Sequence, residues 1–388
     1  MKTQREIEID AWIAQHAAAK QTAPLAVAFH GKIHYLPVYR LPTKLLIFNV
    51  KNGRFASELI EKERELRRKL DPLNSEDAST IQGFLLEQNA SETEALTKDL
   101  KQNGQLEPGI ITADGAVING NRRMAILKKL YADSEQDRFE YIKVARLPRG
   151  VDAKDLWKIE AKLQFGRDFR LEYGPINELL KIRAGKDSGL TPKQISDALG
   201  GRYSDKQVED KLNILKLIDT YLGSIGKPGD YKIIQDERIM EKFNSLHNSV
   251  IVPLRKTRHK TTVPKVTEIG FGLIQGNKHS HWKIRELRKI TELDAAKKAV
   301  LEAYDSNGHL KSAKGIADAF DKASYLVKVQ EERDEPEKLA DNALSALSQI
   351  DAKHEAVATA EFQNVMSEIR EQVERLSVRK KSTGAKRH

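Results

Sequence analysis

The sequence predicts an α+β protein in which a mixed N-terminal unit is followed by mostly helical regions. Short apolar runs bounded by turn residues alternate with helical patterns over residues 34–148, which is typical of a mixed unit. Beyond residue 153, apolar residues recur at three- and four-residue steps, which indicates helices. The chain has 388 residues, and one hydrophobic core rarely serves so many, so two to four structural units are expected.

The N-terminal elements are bounded by local turn signals. Asp71-Pro72 and Asn103-Gly104 end helical patterns, and Asp114-Gly115 separates two short apolar runs as a tight turn would. The expected elements, in chain order, are helix 7–19, strands 34–38 and 44–50, helices 55–70 and 92–102, strands 109–112 and 116–118, helix 122–131 and strand 141–147.

Changes in composition predict five segments. They are an N-terminal extension (1–40), the α+β domain (41–150), a helical region (151–225), a basic and partly irregular region (226–300) and a C-terminal helical region (301–388). The irregularity is expected because prolines recur in the fourth segment, at Pro228, Pro253 and Pro264. The last segment contains an apolar stripe that serves either a dimer or a private core, formed by Phe362, Val365, Ile369, Val373 and Leu376.

Composition excludes several classes of protein. There is no cysteine, which excludes disulfides, thiol catalysis and cysteine-based zinc sites. No run of 18 apolar residues exists, and residues 1–20 lack the apolar stretch of a secretory signal, so we expect a cytoplasmic protein with no membrane partner. The basic balance, a net charge of +10 and a pI of about 9.3, suits a polyanionic partner.

The segment 99–130 is the most informative part of the sequence. Gly120 lets the chain turn from a strand directly into a helix, whose first N–H groups and dipole favour an anion. Arg122 and Arg123 follow in that turn, and guanidinium groups offer forked, permanently charged donors to phosphate oxygens. The pattern therefore predicts a phosphate site, although the same spacing is compatible with two arginines that only face solvent or pair with acids.

This stretch resembles the nucleotide-binding core of ParB-type partition proteins in the ParB/sulfiredoxin superfamily. The family has a Gly-x-x-x-Pro element before a strand and then Gly-Glu-Arg-Arg-x-x-Ala at a helix start. Here these correspond to Gly104 to Pro108 and to Gly120-Asn121-Arg122-Arg123. The resemblance implies a ParB/sulfiredoxin-like N-terminal domain that binds CTP or another nucleotide, with or without magnesium. Sulfiredoxin chemistry needs a catalytic cysteine and is excluded.

The resemblance extends over residues 41–222 and suggests further nucleotide-binding residues. An arginine in an early strand-loop of the family is matched by Arg54, and a Gln-Arg element before a proline is matched by Gln164 and Arg167, with Pro175 beyond. The family glutamate associated with nucleotide turnover is Asn121 here. An amide cannot act as a general base, so we expect binding with slow or no hydrolysis.

Residues 190–222 fit a helix-turn-helix. Thr191 and Pro192 start one helix, Gly200-Gly201 end it, and Ser204 with Gln207 forms a capping box for the next. ParB-type proteins have a helix-turn-helix at this place, although an ordinary helical hairpin has the same pattern. The expected DNA contacts are Arg202, Tyr203, Lys206, Gln207 and Lys211.

Residues 254–290 contain ten Lys or Arg against two acids, the most basic stretch of the chain. Clustered cations beside Trp282 suit a nucleic-acid backbone. A solvated loop that balances the acids of 331–337 is the alternative. The candidate DNA contacts here are Arg255, Lys256, Arg258, Lys283 and Arg285.

Three functional hypotheses follow. The first is a ParB-like, nucleotide-responsive DNA-binding protein that works as a homodimer. The second is an enzyme on the same core, for example a weak nucleoside triphosphatase, a nuclease or a kinase, although no paired acids accompany the Arg-Arg turn. The third is an adaptor with a vestigial nucleotide site. A titration of nucleotides distinguishes the third from the others.

Overall fold

The structure, a computed structural model, describes residues 2–16, 23–51, 53–165, 174–276, 279–352 and 354–377. The N-terminal unit mixes short strands with helices, in agreement with the predicted α+β class. In chain order its elements are α1 (Gln4–Gln15), β1 (Leu25–Phe29), β2 (Lys32–Leu36), β3 (Val38–Pro42), β4 (Ile47–Phe48), α2 (Ala56–Leu66), α3 (Ser75–Glu87), α4 (Ala90–Gln102), β5 (Gly109–Ile111), β6 (Ala116–Asn119), α5 (Asn121–Ser134) and β7 (Tyr141–Arg146).

Five strands form a mixed sheet in the order β3-β7-β5-β6-β4. β4 runs parallel to β6 and β5 runs parallel to β7, whereas the β3–β7 and β5–β6 pairs are antiparallel. β1 and β2 pair separately as an antiparallel hairpin. Because β4 and β6 are parallel neighbours, the loops that leave them start at the same edge of the sheet.

Both faces of the sheet are covered. Ile111 and Val117 point into a core shared with α1 to α5, whereas Ile110 and Ile118 point to the opposite face. There they pack with the β1–β2 hairpin and with Ile159 of α6 (Ala153–Phe165). The alternation follows from the two-residue repeat of a strand.

The N-terminal segment is an integral part of this unit. Ile9 of α1 is fully buried in the first core, and β3 crosses the boundary expected at residue 40. The segment 1–40, expected as an N-terminal extension, therefore packs into the core of this unit through α1. The strand expected at 44–50 is reduced to β4 after a 3-10 turn, and α3 was missed because its pattern between Pro72 and Glu92 is weak.

The rest of the described chain is helical. Its elements are α7 (Pro175–Asp187), α8 (Pro192–Ala198), α9 (Asp205–Ser224), α10 (Glu237–Ser245), a π-helical segment (Leu246–Ile251), α11 (Val252–Arg255), α12 (Val263–Gly276), α13 (His281–Glu292), α14 (Asp294–Val300), α15 (Ala313–Asp334), α16 (Pro336–Ser348) and α17 (Ala360–Ser377).

One hydrophobic core runs from α7 through α9 to α15, from Ile176 to Val327. This core continues across the boundary expected at residue 225, and the described part of 226–300, expected to be partly irregular, is largely helix. Pro253 and Pro264 explain the error. Pro264 lies in the first turn of α12, where the missing N–H has no partner to lose, whereas Pro253 directly follows the π-helical segment in a run that is helical from Glu237 to Arg255.

The last helix stands apart from this core. No residue of α17 is buried, and Val365, Val373 and Leu376 are 50%, 56% and 72% exposed. The apolar stripe of α17 was expected to serve either a dimer or a core within the chain. Among the described residues, the second interpretation is contradicted. Over the same ranges, no helix combines the length and the apolar character that crossing a membrane requires.

Candidate phosphate-binding site and nucleic-acid interface

The Gly120 turn lies at the edge of the sheet where β4 and β6 both end. Gly120 has a φ of +106°, a conformation that glycine adopts without strain, and α5 begins at the next residue. A Cβ on Gly109 would come within 2.6 Å of the Asn119 carbonyl oxygen, so glycine is also required across the β5–β6 pair. The strand–turn–helix arrangement predicted from the sequence is present.

Asn121 does not face a ligand. Its side chain is 4% exposed, its Oδ1 accepts from the Asn49 backbone N–H at 3.1 Å, and its Nδ2 donates to the Val117 carbonyl at 2.5 Å. The amide therefore clamps the loop after β4 to the end of β6. The residue that the sequence suggested as a nucleotide contact has a structural role in the described conformation.

Arg122 turns inward. It is 8% exposed, and its guanidinium donates to the Glu92 carboxylate at 3.1 Å and to the Gln88 carbonyl at 3.2 Å. Its Nε is buried and has no hydrogen-bond partner among the described residues. Burial, and then the nearby positive charge of Arg54, lower the pKa of Arg122. The guanidinium groups of Arg54 and Arg122 are thus close enough to repel each other, and the Arg122 Nε is a buried donor without an acceptor in the described part of the chain.

Arg123 turns the other way, so the two arginines do not act as one pair. Its guanidinium donates to the Glu107 carbonyl at 2.7 Å. Glu107 belongs to the loop from Gly104, which has a φ of +70°, to the half-buried Pro108. Gln105 fixes this loop to the Lys143 backbone of β7, with bonds of 2.6 and 2.8 Å. The predicted Gly104–Pro108 element therefore borders the Gly120 turn, with Arg123 as the link.

α6 and α7 add a buried ion pair on the Arg54 side. Lys181 is 1% exposed and its Nζ lies 2.8 Å from the Glu160 carboxylate. Burial lowers the pKa of Lys181, the Glu160 carboxylate raises it, and the positive charge of Arg54 lowers it further. Asn177 donates to the Arg54 carbonyl at 2.9 Å and accepts from the Ser57 N–H at 3.0 Å.

We call Arg54, Arg122 and Lys181 the cation cluster. Glu92 pairs with Arg122, and Glu160 pairs with Lys181. Sequence reasoning identified Arg54 and Arg122 but missed Lys181, Glu160 and Asn177. Lys181 and Glu160 each lie among apolar residues in a helical pattern. A charged residue on the apolar face of a helix could have marked them as a buried pair. Gln164 lies near the end of α6, and Arg167 lies outside the described residues.

The helix-turn-helix is formed by α8 and α9. Thr191–Gln194 and Ser204–Gln207 are both reciprocal capping boxes, as the second was predicted to be. Arg202, Lys206 and Gln207 are exposed, although the Gln207 side chain also accepts from the Ser204 N–H at 2.8 Å. These three remain candidates for DNA contact.

Tyr203 and Lys211 are instead half-buried and bonded within the protein. The Tyr203 hydroxyl donates to Glu178 at 2.8 Å, and the Lys211 ammonium lies 2.6 Å from the other Glu178 oxygen and over the Tyr203 ring. Burial and the Glu178 carboxylate raise the pKa of Tyr203, which keeps its hydroxyl protonated as a donor. These residues fix the turn of the motif to α7. A cavity of about 300 Å³ lies beside them.

The basic stretch is largely exposed, and some of its cations on α13 form ion pairs. Arg255, Lys256 and Arg258 are exposed around the end of α11. On α13, Lys283 pairs with Glu286 at 3.0 Å, whereas Arg285 stacks over Trp282 and donates to the Ser245 hydroxyl. The sequence also allowed a solvated loop here. The region is instead largely helical, so the positions of these side chains are set by the helices.

Other features lie away from the cation cluster. The cavity beside α1, of about 350 Å³, is lined by Thr3, Glu6, Asp114 and Arg149 at the opposite edge of the sheet. Within the described ranges, no three histidine, aspartate or glutamate side chains are grouped so as to hold a metal ion. We therefore assign no protein ligand to magnesium.

Neither the protein-family models nor the curated proteins that were compared with this chain match it.

Proposed function

We propose that the chain is a nucleotide-responsive DNA-binding protein whose nucleotide phosphates bind at the cation cluster. The observation that carries the proposal is the buried Arg122 guanidinium, which has an unsatisfied Nε and repels the neighbouring Arg54. A buried charged donor that lacks an acceptor is destabilised, and phosphate oxygens would supply that acceptor together with negative charge.

Backbone groups support the same ligand class. The N-terminus of α5 has no side-chain cap. Uncapped helix N-termini carry free N–H donors and a partial positive charge, which favour phosphate. One uncapped helix N-terminus beside two arginines and a lysine fits a polyphosphate better than a single carboxylate.

The resemblance to ParB-type proteins makes CTP the first candidate nucleotide. The residues that support it are Gly120, Arg122 and the Gly104–Pro108 loop. Asn121 offers no general base, and its amide is occupied by Asn49 and Val117. We therefore expect a protein that switches by binding and release of nucleotide, with slow or no hydrolysis.

The first turn of α7 offers a route from the nucleotide site to the DNA-binding motif. Asn177 holds the backbone on both sides of Phe55, and the next residue, Glu178, holds Tyr203 and Lys211. A ligand that shifts Arg54 would therefore act on the helix that positions the turn between α8 and α9. In the proposal, nucleotide binding changes how Arg202, Lys206 and Gln207 are presented to DNA.

A second copy of the chain is part of the proposal. An isolated helix of 18 residues gains most of its stability from packing, yet no residue of the apolar stripe of α17 is buried. Self-association through α17 would cover Val365, Val373 and Leu376. Sedimentation of the chain and of Val373→Asp/Leu376→Asp tests this part, because the double variant should sediment as a smaller species.

The deciding experiment is calorimetric titration of the purified chain with CTP, ATP and GTP. The proposal expects saturable binding of at least one of them, and it expects that nucleotide to change the affinity for duplex DNA. An absence of binding by all three contradicts the nucleotide site. Release of inorganic phosphate, or cleavage of a labelled plasmid with magnesium, would favour the enzyme hypothesis instead.

A further inference from the structure

Helix α13 presents an aromatic side chain on its outer face. Ile284, Leu287 and Ile290 are buried in the large helical core, whereas Trp282 is 64% exposed. Trp157 is only 5% exposed. A buried indole contributes to the stability of the fold, whereas an exposed one contributes little. The exposure of Trp282 therefore points to a role other than stabilising the fold.

The indole is held in place by its neighbours. The Arg285 guanidinium lies 4.3 Å from the centre of the Trp282 ring system, and its Nε donates to the Ser245 hydroxyl of α10 at 3.2 Å. His281, whose ring lies 4.9 Å from that of Trp282, pairs with Glu241 of α10 at 3.1 Å. Trp282 and Arg285 of α13 therefore form a preorganised surface that α10 holds in place, which we call the tryptophan platform.

Charge around the platform is positive. α13 carries four cations, Lys283, Arg285, Arg288 and Lys289, against two acids, Glu286 and Glu292. Lys283 and Arg288 use those two acids in ion pairs, whereas no ion pair of Arg285 is found among the described residues. Ser280, the residue before the helix, gives no side-chain cap to its first N–H groups.

The same helix α10 connects the platform with the helix-turn-helix. Met240 and Asn244 line the cavity that also contacts Arg202 and Tyr203, while Glu241 and Ser245 anchor the platform. The turn at Arg202 and the tryptophan platform thus contact adjacent faces of α10, so a nucleic acid bound at Arg202 would have the platform nearby.

We propose that the tryptophan platform binds an unpaired base of single-stranded nucleic acid, with Trp282 stacking on the base and Arg285 and Lys283 near the backbone phosphates. Aromatic side chains beside cations are the usual means of binding single strands, since every base has a flat face. A base in a duplex is already stacked and cannot reach the indole. A protein partner would need a wider apolar patch, and the helical neighbours of Trp282 are charged.

This inference rests on the DNA-binding part of the proposed function but not on its nucleotide site. The test uses three probes of equal length: oligo-dT, the same backbone with abasic sites in place of the bases, and a duplex. The full chain, Trp282→Ala, Trp282→Phe and Tyr35→Ala are titrated with each at low salt. Tyr35 is 71% exposed on the distant β1–β2 hairpin, so its variant controls for the loss of any exposed ring.

We expect Trp282→Ala to bind oligo-dT about ten-fold or more weakly, because a stacked base contributes on that order. Its affinity for the abasic strand and the duplex should equal that of the unaltered chain, and Trp282→Phe should retain most of the affinity for oligo-dT. Oligo-dT should also quench tryptophan fluorescence in the full chain but not in Trp282→Phe.

Three results would overturn the inference: unchanged oligo-dT affinity in Trp282→Ala, an equal loss on the abasic strand, or no oligo-dT binding by the unaltered chain. The first would leave the platform to a protein partner, and the second would reduce it to a phosphate contact. Duplex binding by the unaltered chain reports the proposed DNA role separately, so failure of one is distinguishable from failure of the other.

Discussion

The cation cluster and the basic stretch use positive charge in opposite ways. The cluster brings together Arg54, Arg122 and Lys181 from segments far apart in the chain, and buries two of them. Residues 254–290 have ten cations close together in sequence, yet these lie mostly at the surface, and several meet acids such as Glu286 and Glu331.

The difference shows that charge density along a sequence does not measure charge density at a site. Exposed pairs lie in a high dielectric and are screened by salt, so each contributes little. Buried cations lie in a lower dielectric, where an unmatched charge is costly and an incoming anion is strongly favoured. The less conspicuous set of cations is therefore the better candidate for a small anionic ligand.

The largest expected effect comes from the buried pair. Lys181→Met leaves the Glu160 carboxylate buried without its ammonium partner, so the free energy of unfolding should fall by about 3–5 kcal/mol in urea titrations. The matched control is Lys181→Met/Glu160→Leu, which removes both charges and should recover most of the loss. A loss below about 1 kcal/mol in the single variant would make this pair equivalent to a surface pair.

The second prediction separates the two adjacent arginines. Arg122→Ala should weaken nucleotide binding ten-fold or more, because each charge-assisted contact contributes roughly 1.5–3 kcal/mol. The sequence alone pointed equally to Arg123, but Arg123 bonds to the Glu107 carbonyl at the border of the site. Arg123→Ala should therefore cost less affinity in the same calorimetric titrations. Equal losses, or a larger loss for Arg123→Ala, would contradict the assignment of the cation cluster.

The third prediction compares two lysines of the helix-turn-helix. Lys206→Glu, exposed in the first turn of α9, should lower duplex affinity and reduce the slope of log K against log salt by about one. Lys216→Glu, which is exposed roughly 15 Å further along the helix, makes the same change in net charge away from the motif.

The readout is fluorescence anisotropy over a range of salt concentrations. Affinity losses that are the same for Lys206→Glu and Lys216→Glu would mean that α9 does not enter a groove and that only total charge matters.

The smallest expected effect belongs to an exposed pair. Lys289 and Glu331 join α13 to α15 at 2.6 Å, but both side chains are about half exposed or more. Lys289→Ala should change the free energy of unfolding by about 0.2–1 kcal/mol, and high salt should reduce the difference further. A loss as large as that of Lys181→Met would remove the contrast between buried and exposed cations drawn above.

Local patterns in the sequence determined several parts of this protein. The Gly120 turn, the start of α5 and the two capped helices of the motif were predicted correctly, because glycine conformation and capping depend on neighbouring residues. The mixed N-terminal unit followed from its alternating strands and helices. The prolines of 226–300 led to a wrong prediction of irregular structure. A proline in the first turn of a helix cannot be distinguished by sequence from one that ends a helix unless the helix boundaries are known.

Only the tertiary structure decided which side chains meet. Asn121 and Arg123 follow the Gly120 turn, as the sequence predicted. Their side chains, however, bond to the loops that contain Asn49 and Glu107, and so they hold the structure together. Lys181 and Glu160 form a pair because α6 and α7 are in contact, which no local spacing encodes. Position along a chain fixes the direction of a side chain relative to its own helix, whereas burial and charge depend on every element that packs against it.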